Sequence, residues 1–232
     1  MPKISNSKKP GLAIALVSGG MDSLVCAAIA QTQWQKTAFL HLNYGQKTNQ
    51  KELQCFHAIA RHYNIPDPLK KVVDAGFLGL IGGSSLTDKK IPVKKHIENQ
   101  NQIPDSYVPF RNTHIIALAV SWAEVINAKR IYIGAVHEDS SGYPDCRPSY
   151  YKAINNLIKE GTKEGDIQVE TPIIHYKKQD IVKAALELQA PLELTWSCYD
   201  NSDLACGVCD SCVLRLKGFH LADASDPLAY SK

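Results

Sequence analysis

The sequence predicts an α/β fold: a Rossmann-like, doubly wound parallel sheet, followed by a small C-terminal region rich in cysteine. Three observations support this prediction. Short apolar runs alternate with segments of helical spacing along the 232 residues, a glycine-rich turn follows the first apolar run, and four cysteines lie close together near the C-terminal end. Alternating strands and helices form parallel sheets covered on both faces, so we expect ligands at the carboxyl ends of the strands.

The first unit is a strand, a turn and a helix. The run from Leu12 to Val17 is apolar without alternation, as expected of a strand buried on both faces. The Ala-rich run from Leu24 to Ala30 follows Asp22 and Ser23, which favour a helix start. The same patterns predict further strands at residues 38–44, 70–73, 130–136 and 166–169, and helices at residues 51–63, 113–125, 150–160 and 178–188.

Composition divides the chain into three parts. We expect residues 1–10 to form a mobile polar leader, residues 11–190 the α/β domain, and residues 191–232 a metal-binding tail. Within the domain, residues 75–109 interrupt the alternation with many Gly, Ser and Pro residues. A connection of this length is typical of a functional lid, so we predict a lid over the active site.

Composition also limits the kinds of partner. The hydrophobic content of 44% is enough for an ordinary core, and the formal net charge is only +3. A charge this small argues against a large nucleic-acid surface. No apolar run reaches the length that crosses a membrane, and residues 1–10 hold no apolar segment of the secretory type. We therefore expect a cytoplasmic protein that binds neither nucleic acid nor membrane.

The turn Ser18-Gly19-Gly20-Met21-Asp22-Ser23 has the chemistry of a phosphate site. Gly19 and Gly20 remove the Cβ atoms that keep a ligand from the backbone, and they tolerate positive φ. The free amides and the dipole of the following helix attract anions, and Ser18 and Ser23 add hydroxyl donors. The turn holds no Lys and the chain has no G-x-G-x-x-G, which excludes the usual NTPase and dinucleotide loops. An ordinary strand-to-helix turn is the alternative.

Cysteine usage indicates a metal site. An odd total of 7 cysteines in a cytosolic chain disfavours a disulfide framework. Four thiolates separated by short loops can close a tetrahedral, structural shell around Zn²⁺. A nucleic-acid-binding zinc ribbon and an iron–sulfur cluster are the alternatives, and acidic neighbours such as Asp200 and Asp210 disfavour the first. The predicted ligands are Cys198, Cys206, Cys209 and Cys212, whereas Cys26, Cys55 and Cys146 are expected to be small core residues.

The hexapeptide from Ser18 to Ser23 resembles the SGGxDS signature of PP-loop ATP pyrophosphatases, which cleave ATP between its α and β phosphates. Further segments resemble one family of that group, the 7-cyano-7-deazaguanine synthases of the queuosine pathway. Phe110 is a departure, because the pattern has glycine there, and it can alter the pocket wall. The matching segments are Asn43-Tyr44-Gly45-Gln46, Ser84-Ser85-Leu86-Thr87, Val108-Pro109-Phe110-Arg111-Asn112, Ser141-Gly142-Tyr143-Pro144-Asp145-Cys146-Arg147, Glu170-Thr171-Pro172 and the four-cysteine tail.

The resemblance implies an adenine nucleotide α-hydrolase-like fold and a carbon–nitrogen ligase. The implied reaction converts 7-carboxy-7-deazaguanine and ammonia into 7-cyano-7-deazaguanine at the expense of ATP, through an adenylated carboxylate and an amide. It also implies Mg²⁺ with the ATP, one structural Zn²⁺ per chain, and a homodimer. No segment resembles a glutaminase domain, so we expect free ammonium as the nitrogen source. The loop type favours AMP over ADP as the nucleotide product.

The resemblance also proposes site residues. Arg111 is expected to pair with the substrate carboxylate or the phosphates, Glu138 or Asp145 to accept from the guanine-like N–H groups, and Tyr143 to stack on the base. The catalytic set is Ser18, Asp22, Ser23, Arg111 and Lys178. The ATP-binding set is Val17, Ser18, Gly19, Gly20, Met21, Asp22, Ser23, Leu24, Val25, Cys26 and Ala27. The substrate-binding set is Arg111, Asn112, Glu138, Asp139, Tyr143, Asp145 and Arg147.

Alternatives remain at this point. Lys178 taken alone suits a surface ion pair, and His41, at the end of the second strand where adenine is a candidate ligand, equally suits the core. The nearest enzyme alternative is a tRNA-thiolating or lysidine-forming enzyme of the same PP-loop group, although no reactive cysteine pair or basic RNA-binding region is evident. A non-catalytic, zinc-dependent adaptor that binds nucleotide is the alternative from another class.

Overall fold

A computed structural model describes residues 8–88, 90–95, 103–137 and 142–231. Its five strands form one parallel sheet in the order β3-β2-β1-β4-β5. The order reverses between β1 and β4, so the predicted doubly wound parallel sheet is confirmed, and the crevice at that reversal is where such sheets bind ligands. The strands are β1 Lys9–Leu16, β2 Trp34–Asn43, β3 Lys70–Asp74, β4 Arg130–Tyr132 and β5 Gln168–Glu170.

Helices cover both faces of the sheet. One apolar core joins α1, α2, α6 and α7 to one face, and a second core joins α4 and α5 to the other. Alternate residues of β1 enter the two cores, Ala13 and Ala15 the first, Ile14 and Leu16 the second, as the two-residue period of a strand requires. The helices are α1 Met21–Gln33, α2 Asn49–His62, α3 Phe77–Ile81, α4 Arg111–Ile126, α5 Pro148–Gly161, α6 Lys178–Glu187 and α7 Asp210–Leu221.

Two predicted boundaries differ from the structure. Helix α1 begins at Met21 because Gly20, extended at φ −87° and ψ 164°, is its N-cap. Asp22 and Ser23 therefore lie in the first helical turn, not ahead of it. Strand β4 ends at Tyr132, four residues before its predicted end at Val136. Beyond it the chain leaves the ladder and passes against the start of α1.

Helix α7 was not predicted, because its sequence mixes cysteine, glycine and charged residues without a clear apolar stripe. Tertiary packing stabilises it instead. A Cβ on Gly218 would lie 2.8 Å from Lys178 Cβ, so only glycine lets α7 lie this close to the start of α6. The tail thus packs directly on α6 of the α/β domain, and the division of the chain at residue 190 stays a prediction.

The segment at residues 75–109 is partly described. It holds α3, and Lys47 on the neighbouring loop bonds it twice, from its amide to the Leu86 carbonyl at 2.9 Å and from Nζ to the Ile91 carbonyl at 2.8 Å. Lys95 forms a backbone bridge with Cys209 of the tail. Residues 89 and 96–102 lie outside the described residues, as do residues 1–7 of the predicted leader. Within the described part, no helix is both long and apolar enough to cross a membrane.

Phe110 precedes α4 in the left-handed conformation, at φ 59° and ψ 18°. This conformation suits glycine and strains a bulky residue, so the position explains why a glycine fits there. The Phe110 ring is 57% exposed and its centroid lies 6.3 Å from that of His114. The side chain therefore gives little burial in return for the strain.

We predict that Phe110→Gly is more stable than Phe110→Ala by about 1 kcal/mol, because both remove the ring but only glycine relaxes the left-handed backbone. Urea unfolding of the two variants measures the difference. An alanine variant as stable as the glycine variant would show that the backbone at this position is unstrained.

Candidate active site

A cavity of about 250 Å³ opens at the carboxyl ends of β1, β2 and β4. This is the crevice predicted for ligands of a doubly wound sheet. The wall is built from the glycine turn, the loop after β2, the start of α4, the start of α6 and the C-terminal tail. Its polar lining residues are Ser18, Asp22, Ser23, Tyr44, Gln46, Lys47, Thr48, Glu52, Arg111, Asn112, Lys178, Trp196, Ser197, Cys198, Tyr199, Ser211 and Arg215.

The turn between β1 and α1 requires glycine at Gly19. Its φ is +94°, and an added Cβ would lie 2.7 Å from the Glu52 carbonyl oxygen and 3.0 Å from Cys55 Cβ. The Gly19 carbonyl accepts a hydrogen bond from the Trp196 amide at 2.9 Å. The turn is therefore held between helix α2 on one side and the tail on the other.

The hydroxyl of Ser23 shapes the same turn. Ser23 Oγ donates to the Gly20 carbonyl at 2.8 Å and accepts from the Ser18 amide at 3.2 Å. Ser18 Oγ lies 3.1 Å from Ser23 Oγ and is the more exposed of the two hydroxyls. The Ser23 proton is thus engaged inside the turn, which differs from the expected role of a free donor to a ligand.

Asp22 and Lys178 form an ion pair across the cavity. Lys178 Nζ lies 2.8 Å and 2.6 Å from the two carboxylate oxygens of Asp22, with side chains 17% and 29% exposed. Gly134, after β4, lets the chain approach closely, since a Cβ there would lie 2.8 Å from the Asp22 carbonyl carbon. Lys178 is therefore part of the cavity wall and not a surface lysine.

Arg111 is the cation at the opposite wall. Its Nη1 donates to the Tyr44 hydroxyl at 3.1 Å, and its guanidinium carbon lies 5.3 Å from the Tyr44 ring centroid. Nε is buried and has no hydrogen-bond partner in the part of the chain that the structure describes. Burial raises the pKa of Tyr44 to about 12, so the hydroxyl stays neutral and leaves the Arg111 charge available to an anion.

Glu52 is a second carboxylate in the wall, and sequence patterns did not single it out. Gln46 Nε2 donates to it at 2.9 Å and Thr48 Oγ1 at 2.7 Å, while Gln46 Oε1 accepts from the Tyr44 amide. Burial raises the pKa of Glu52. Among the described lining residues the acidic ones are Asp22 and Glu52. Asp22 forms an ion pair with Lys178, whereas Glu52 accepts hydrogen bonds only from neutral groups in the described part of the chain.

The tail forms the back wall of the cavity. Trp196, Ser197, Cys198 and Tyr199 all line it, and Lys51 Nζ lies 4.6 Å from the centre of the Trp196 ring. Trp196 Nε1 donates to the Asn201 carbonyl at 3.0 Å. A predicted metal ligand, Cys198, therefore belongs to the same wall as the glycine turn.

The four tail cysteines fit a metal ion. The Sγ atoms of Cys198, Cys206, Cys209 and Cys212 all lie within 4.8 Å of one another. A tetrahedral Zn²⁺ with bonds of about 2.3 Å needs sulfurs at roughly this spacing. The amides of Asp200, Asn201 and Cys206 point at Cys198 Sγ at 3.3 to 3.4 Å, which supports a thiolate. The other cysteines, Cys26, Cys55 and Cys146, are buried and free, as predicted.

The structure brings the five predicted catalytic residues to one cavity, and with them Val17, Gly20, Met21 and Asn112. It does not bring all the others there. The run from Leu24 to Ala27 lies in the core at 0% exposure. Its backbone amides donate hydrogen bonds within helix α1. Glu138 and Asp139 lie outside the described residues. The predicted residues that are not part of the lining are Gly19, Leu24, Val25, Cys26, Ala27, Tyr143, Asp145 and Arg147.

Asp145 and Tyr143 support the start of α4 from behind. Asp145 Oδ2 accepts from the Asn112 amide at 3.2 Å and its carbonyl accepts from Asn112 Nδ2 at 3.0 Å. The Tyr143 hydroxyl lies 2.7 Å from Ser106 Oγ. Burial raises the pKa of Asp145. Asp145 therefore positions Asn112, whereas Tyr143 contacts the segment before α4 at Ser106 and Tyr107. Arg147 is exposed at the start of α5.

His41 and Phe110 lie outside the cavity lining as well. His41 is 1% exposed, its Nδ1 is 2.9 Å from the Val17 carbonyl, and its ring centroid is 5.2 Å from that of Phe56. Burial lowers the pKa of His41. It is a core histidine that supports the end of β1. Phe110, where the family pattern has glycine, adds backbone strain before α4 but does not line the cavity.

We predict that Gly19→Ala costs about 3 kcal/mol or more of unfolding free energy, because it adds a clash with helix α2 to the strain of positive φ. Gly83→Ala is the matched control: φ is +80° but nothing lies within 4 Å of the added Cβ, so we expect about 1 kcal/mol. Thermal and urea unfolding measure both. Equal costs would show that Gly19 is not held by α2.

Comparisons with known proteins agree with this geometry. Residues 12–223 match the family described as "Queuosine biosynthesis protein QueC". The chain is 56% identical to the 7-cyano-7-deazaguanine synthase of Chlorobium chlorochromatii, over 94% of this chain and 95% of that one. It is 52% identical to the enzyme of that name from Koribacter versatilis, over 95% and 94%.

A solved structure shares the fold. The crystal structure of a 4-thiouridine synthetase–RNA complex with bound ATP superposes with a TM-score of 0.52 at 20% identity, over 95% of this chain and 47% of that chain. At this identity the likeness concerns the fold alone. From the match of the family over nearly its full length and from its relatives, this chain belongs to the QueC family of queuosine biosynthesis proteins.

Proposed function

We propose that the protein is a 7-cyano-7-deazaguanine synthase, which converts 7-carboxy-7-deazaguanine, ammonia and ATP into the nitrile. One observation carries the proposal. In a chain of this family, the glycine turn, the Asp22–Lys178 pair and Arg111 all face a single cavity at the switch point of the sheet. N–H donors that suit the phosphates of ATP thus face the same cavity as a cation that suits the substrate carboxylate.

The chemistry needs two activations. A carboxylate oxygen attacks the α-phosphorus of ATP, pyrophosphate leaves, and an acyl adenylate forms. Ammonia attacks its carbonyl carbon, loses a proton and displaces AMP, which leaves the primary amide. The amide oxygen then attacks the α-phosphorus of a second ATP, again releasing pyrophosphate. Loss of AMP and of the two nitrogen protons gives the nitrile. Positioning and electrostatic stabilisation are the contributions required of the protein.

The residues divide this task by position. The Gly20 amide donates to Ser18 Oγ at 3.3 Å and fixes that hydroxyl in the turn, whereas the amides at the start of α1 suit the phosphates. Lys178 offers a cation beside them and Asp22 holds its ammonium in place. Arg111, whose buried Nε has no partner among the described residues, suits the planar carboxylate through paired N–H donors.

Glu52 is our candidate for recognition of the guanine-like edge. Each carboxylate oxygen of Glu52 accepts one hydrogen bond within the protein and keeps a further lone pair, and the substrate offers paired N–H donors. Glu52 lines the cavity, whereas Asp145, considered from the sequence for this task, uses its carboxylate to hold Asn112. Tyr44, between Glu52 and Arg111 in the hydrogen-bond network, is the aromatic face for the ring.

The cofactors and assembly are part of the proposal. The four tail cysteines would hold Zn²⁺, which would fix the back wall, and Mg²⁺ bound with ATP would offset phosphate charge. An exposed apolar surface at Phe77, Leu80, Ile81 and Phe110, which are 50 to 89% exposed, supports a homodimer. The proposal includes a cytoplasmic location, and the net charge of +3 disfavours a large nucleic-acid surface.

Turnover tests the function directly. Zinc-loaded protein given the carboxylic acid, ATP and ammonium should release pyrophosphate and nitrile. Ser23→Ala should lower kcat roughly 100-fold because the turn loses the hydroxyl that fixes it, with zinc content unchanged. The control Ser121→Ala removes an exposed helical hydroxyl that bonds only its own helix and should leave turnover as it is. A fully active Ser23→Ala variant would contradict the assigned role of the turn.

Base recognition has a separate test. We expect Glu52→Gln to lower kcat/KM for the natural acid by roughly 10-fold to 100-fold, because its amide cannot accept a second N–H. For an analogue without the exocyclic amino group, the same substitution should change kcat/KM little. KM for ATP should stay unchanged. Steady-state kinetics with both acids measures this. An equal loss with the two acids would assign Glu52 to structure alone.

A further inference from the structure

We propose that Arg215 is a positioning residue for the ATP-binding turn, through which the cysteine site of the tail sets the affinity for ATP. The proposal rests on the proposed function, since it concerns the same turn. It gives a role in nucleotide binding to a residue that does not belong to the turn and that no sequence pattern singled out.

Arg215 is fully engaged inside the protein. It lies on α7, three residues after Cys212, and is 1% exposed. Nε and Nη2 donate to the two carboxylate oxygens of Asp226 at 2.8 and 3.0 Å. Nη1 donates to Thr195 Oγ1 at 2.8 Å and to Ser197 Oγ at 3.2 Å, and Nη2 also reaches the Leu192 carbonyl at 3.4 Å. Every guanidinium N–H group therefore has an acceptor.

The two hydroxyls that Arg215 holds flank Trp196. The Trp196 amide donates to the Gly19 carbonyl at 2.9 Å, and its own carbonyl lies 3.6 Å from where a Cβ on Gly20 would be. The Gly19 carbonyl and the Gly20 amide belong to one planar trans peptide, so they point in opposite directions. By fixing the carbonyl towards the tail, Trp196 turns the Gly20 N–H away from the tail, where Ser18 Oγ accepts it at 3.3 Å.

The other end of this connection is the cysteine site. Cys209 is the N-cap of α7 and Cys212 lies in its first turn, so the sulfurs orient the helix that carries Arg215. Cys198 follows directly after Ser197, and the same sulfurs hold the segment that Arg215 grips. A metal that joins these cysteines would thus fix both partners of the Arg215 hydrogen bonds, and through them the peptide of the turn.

The ion pair itself is separable from this role. Asp226 also accepts from the Tyr230 hydroxyl at 2.6 Å and from the Leu228 amide at 3.0 Å. A lysine at position 215 keeps the buried charge beside Asp226, so it avoids the cost of an unpaired carboxylate. Its single ammonium cannot also span Thr195, Ser197 and Leu192, because that requires the planar fork of arginine.

The experiment compares Arg215→Lys with the wild type for ATP binding by calorimetry, for kinetics, and for zinc content. We expect one zinc per chain, a kcat within twofold of wild type, and a Kd and KM for ATP raised about tenfold. Thr195→Val removes the acceptor of the Arg215 Nη1 hydrogen bond without changing a charge. It should also raise Kd and KM for ATP and leave kcat within twofold of wild type. Thr37→Val is the matched control, since Thr37 Oγ1 is buried without a partner in the described part of the chain.

Two results would overturn the proposal. In the first, Arg215→Lys and Thr195→Val bind ATP as tightly as the wild type at full zinc content. In the second, both variants lose zinc and stability in proportion to their loss of ATP binding, which is the result expected of a purely structural role. Failure of the proposed function is distinct, because wild-type protein would then bind ATP without consuming it in the presence of the acid and ammonium.

Discussion

The fixed peptide between Gly19 and Gly20 is the constraint on which the site depends. Helix α2 presses on it from one side, where no Cβ can fit at Gly19, and the Trp196 amide holds its carbonyl from the other. Ser23 closes the turn from within. A phosphate site made of backbone amides has few charges of its own, so its affinity depends on the direction of those amides. Rigid neighbours supply that direction.

The tail is therefore part of the wall of the candidate site. It contributes residues from Trp196 to Tyr199 to the cavity wall, and Gly218 lets α7 pack directly on Lys178. The segment after β3 is tied to the same region through the bridge between Lys95 and Cys209. A structural metal site placed here can hold the tail against the other walls of the cavity.

Local patterns predicted what local chemistry determines. The parallel sheet, the glycine turn and the cysteine cluster were predictable because residues close together in the sequence determine them. Apolar runs indicate buried strands, glycines indicate positive φ, and short spacings indicate metal ligands. Long-range packing determines the rest. Helix α7 lacks its own periodicity, Glu52 faces the cavity only because α2 lies against Gly19, and Arg215 gains its role from partners far apart in sequence. Asp145 has the right chemistry for a base reader, yet its position makes it a support for Asn112.

We infer that the protein transfers the adenylyl group of ATP to both oxygens that come from the carboxylic acid, one after the other. An isotope measurement tests it most directly: acid labelled with ¹⁸O in its carboxylate, ATP and ammonium are converted by the zinc-loaded protein, and the nucleotide product is examined by mass spectrometry. We expect two AMP molecules per nitrile, each carrying one labelled oxygen. Label in inorganic phosphate, with ADP as the product, would contradict it.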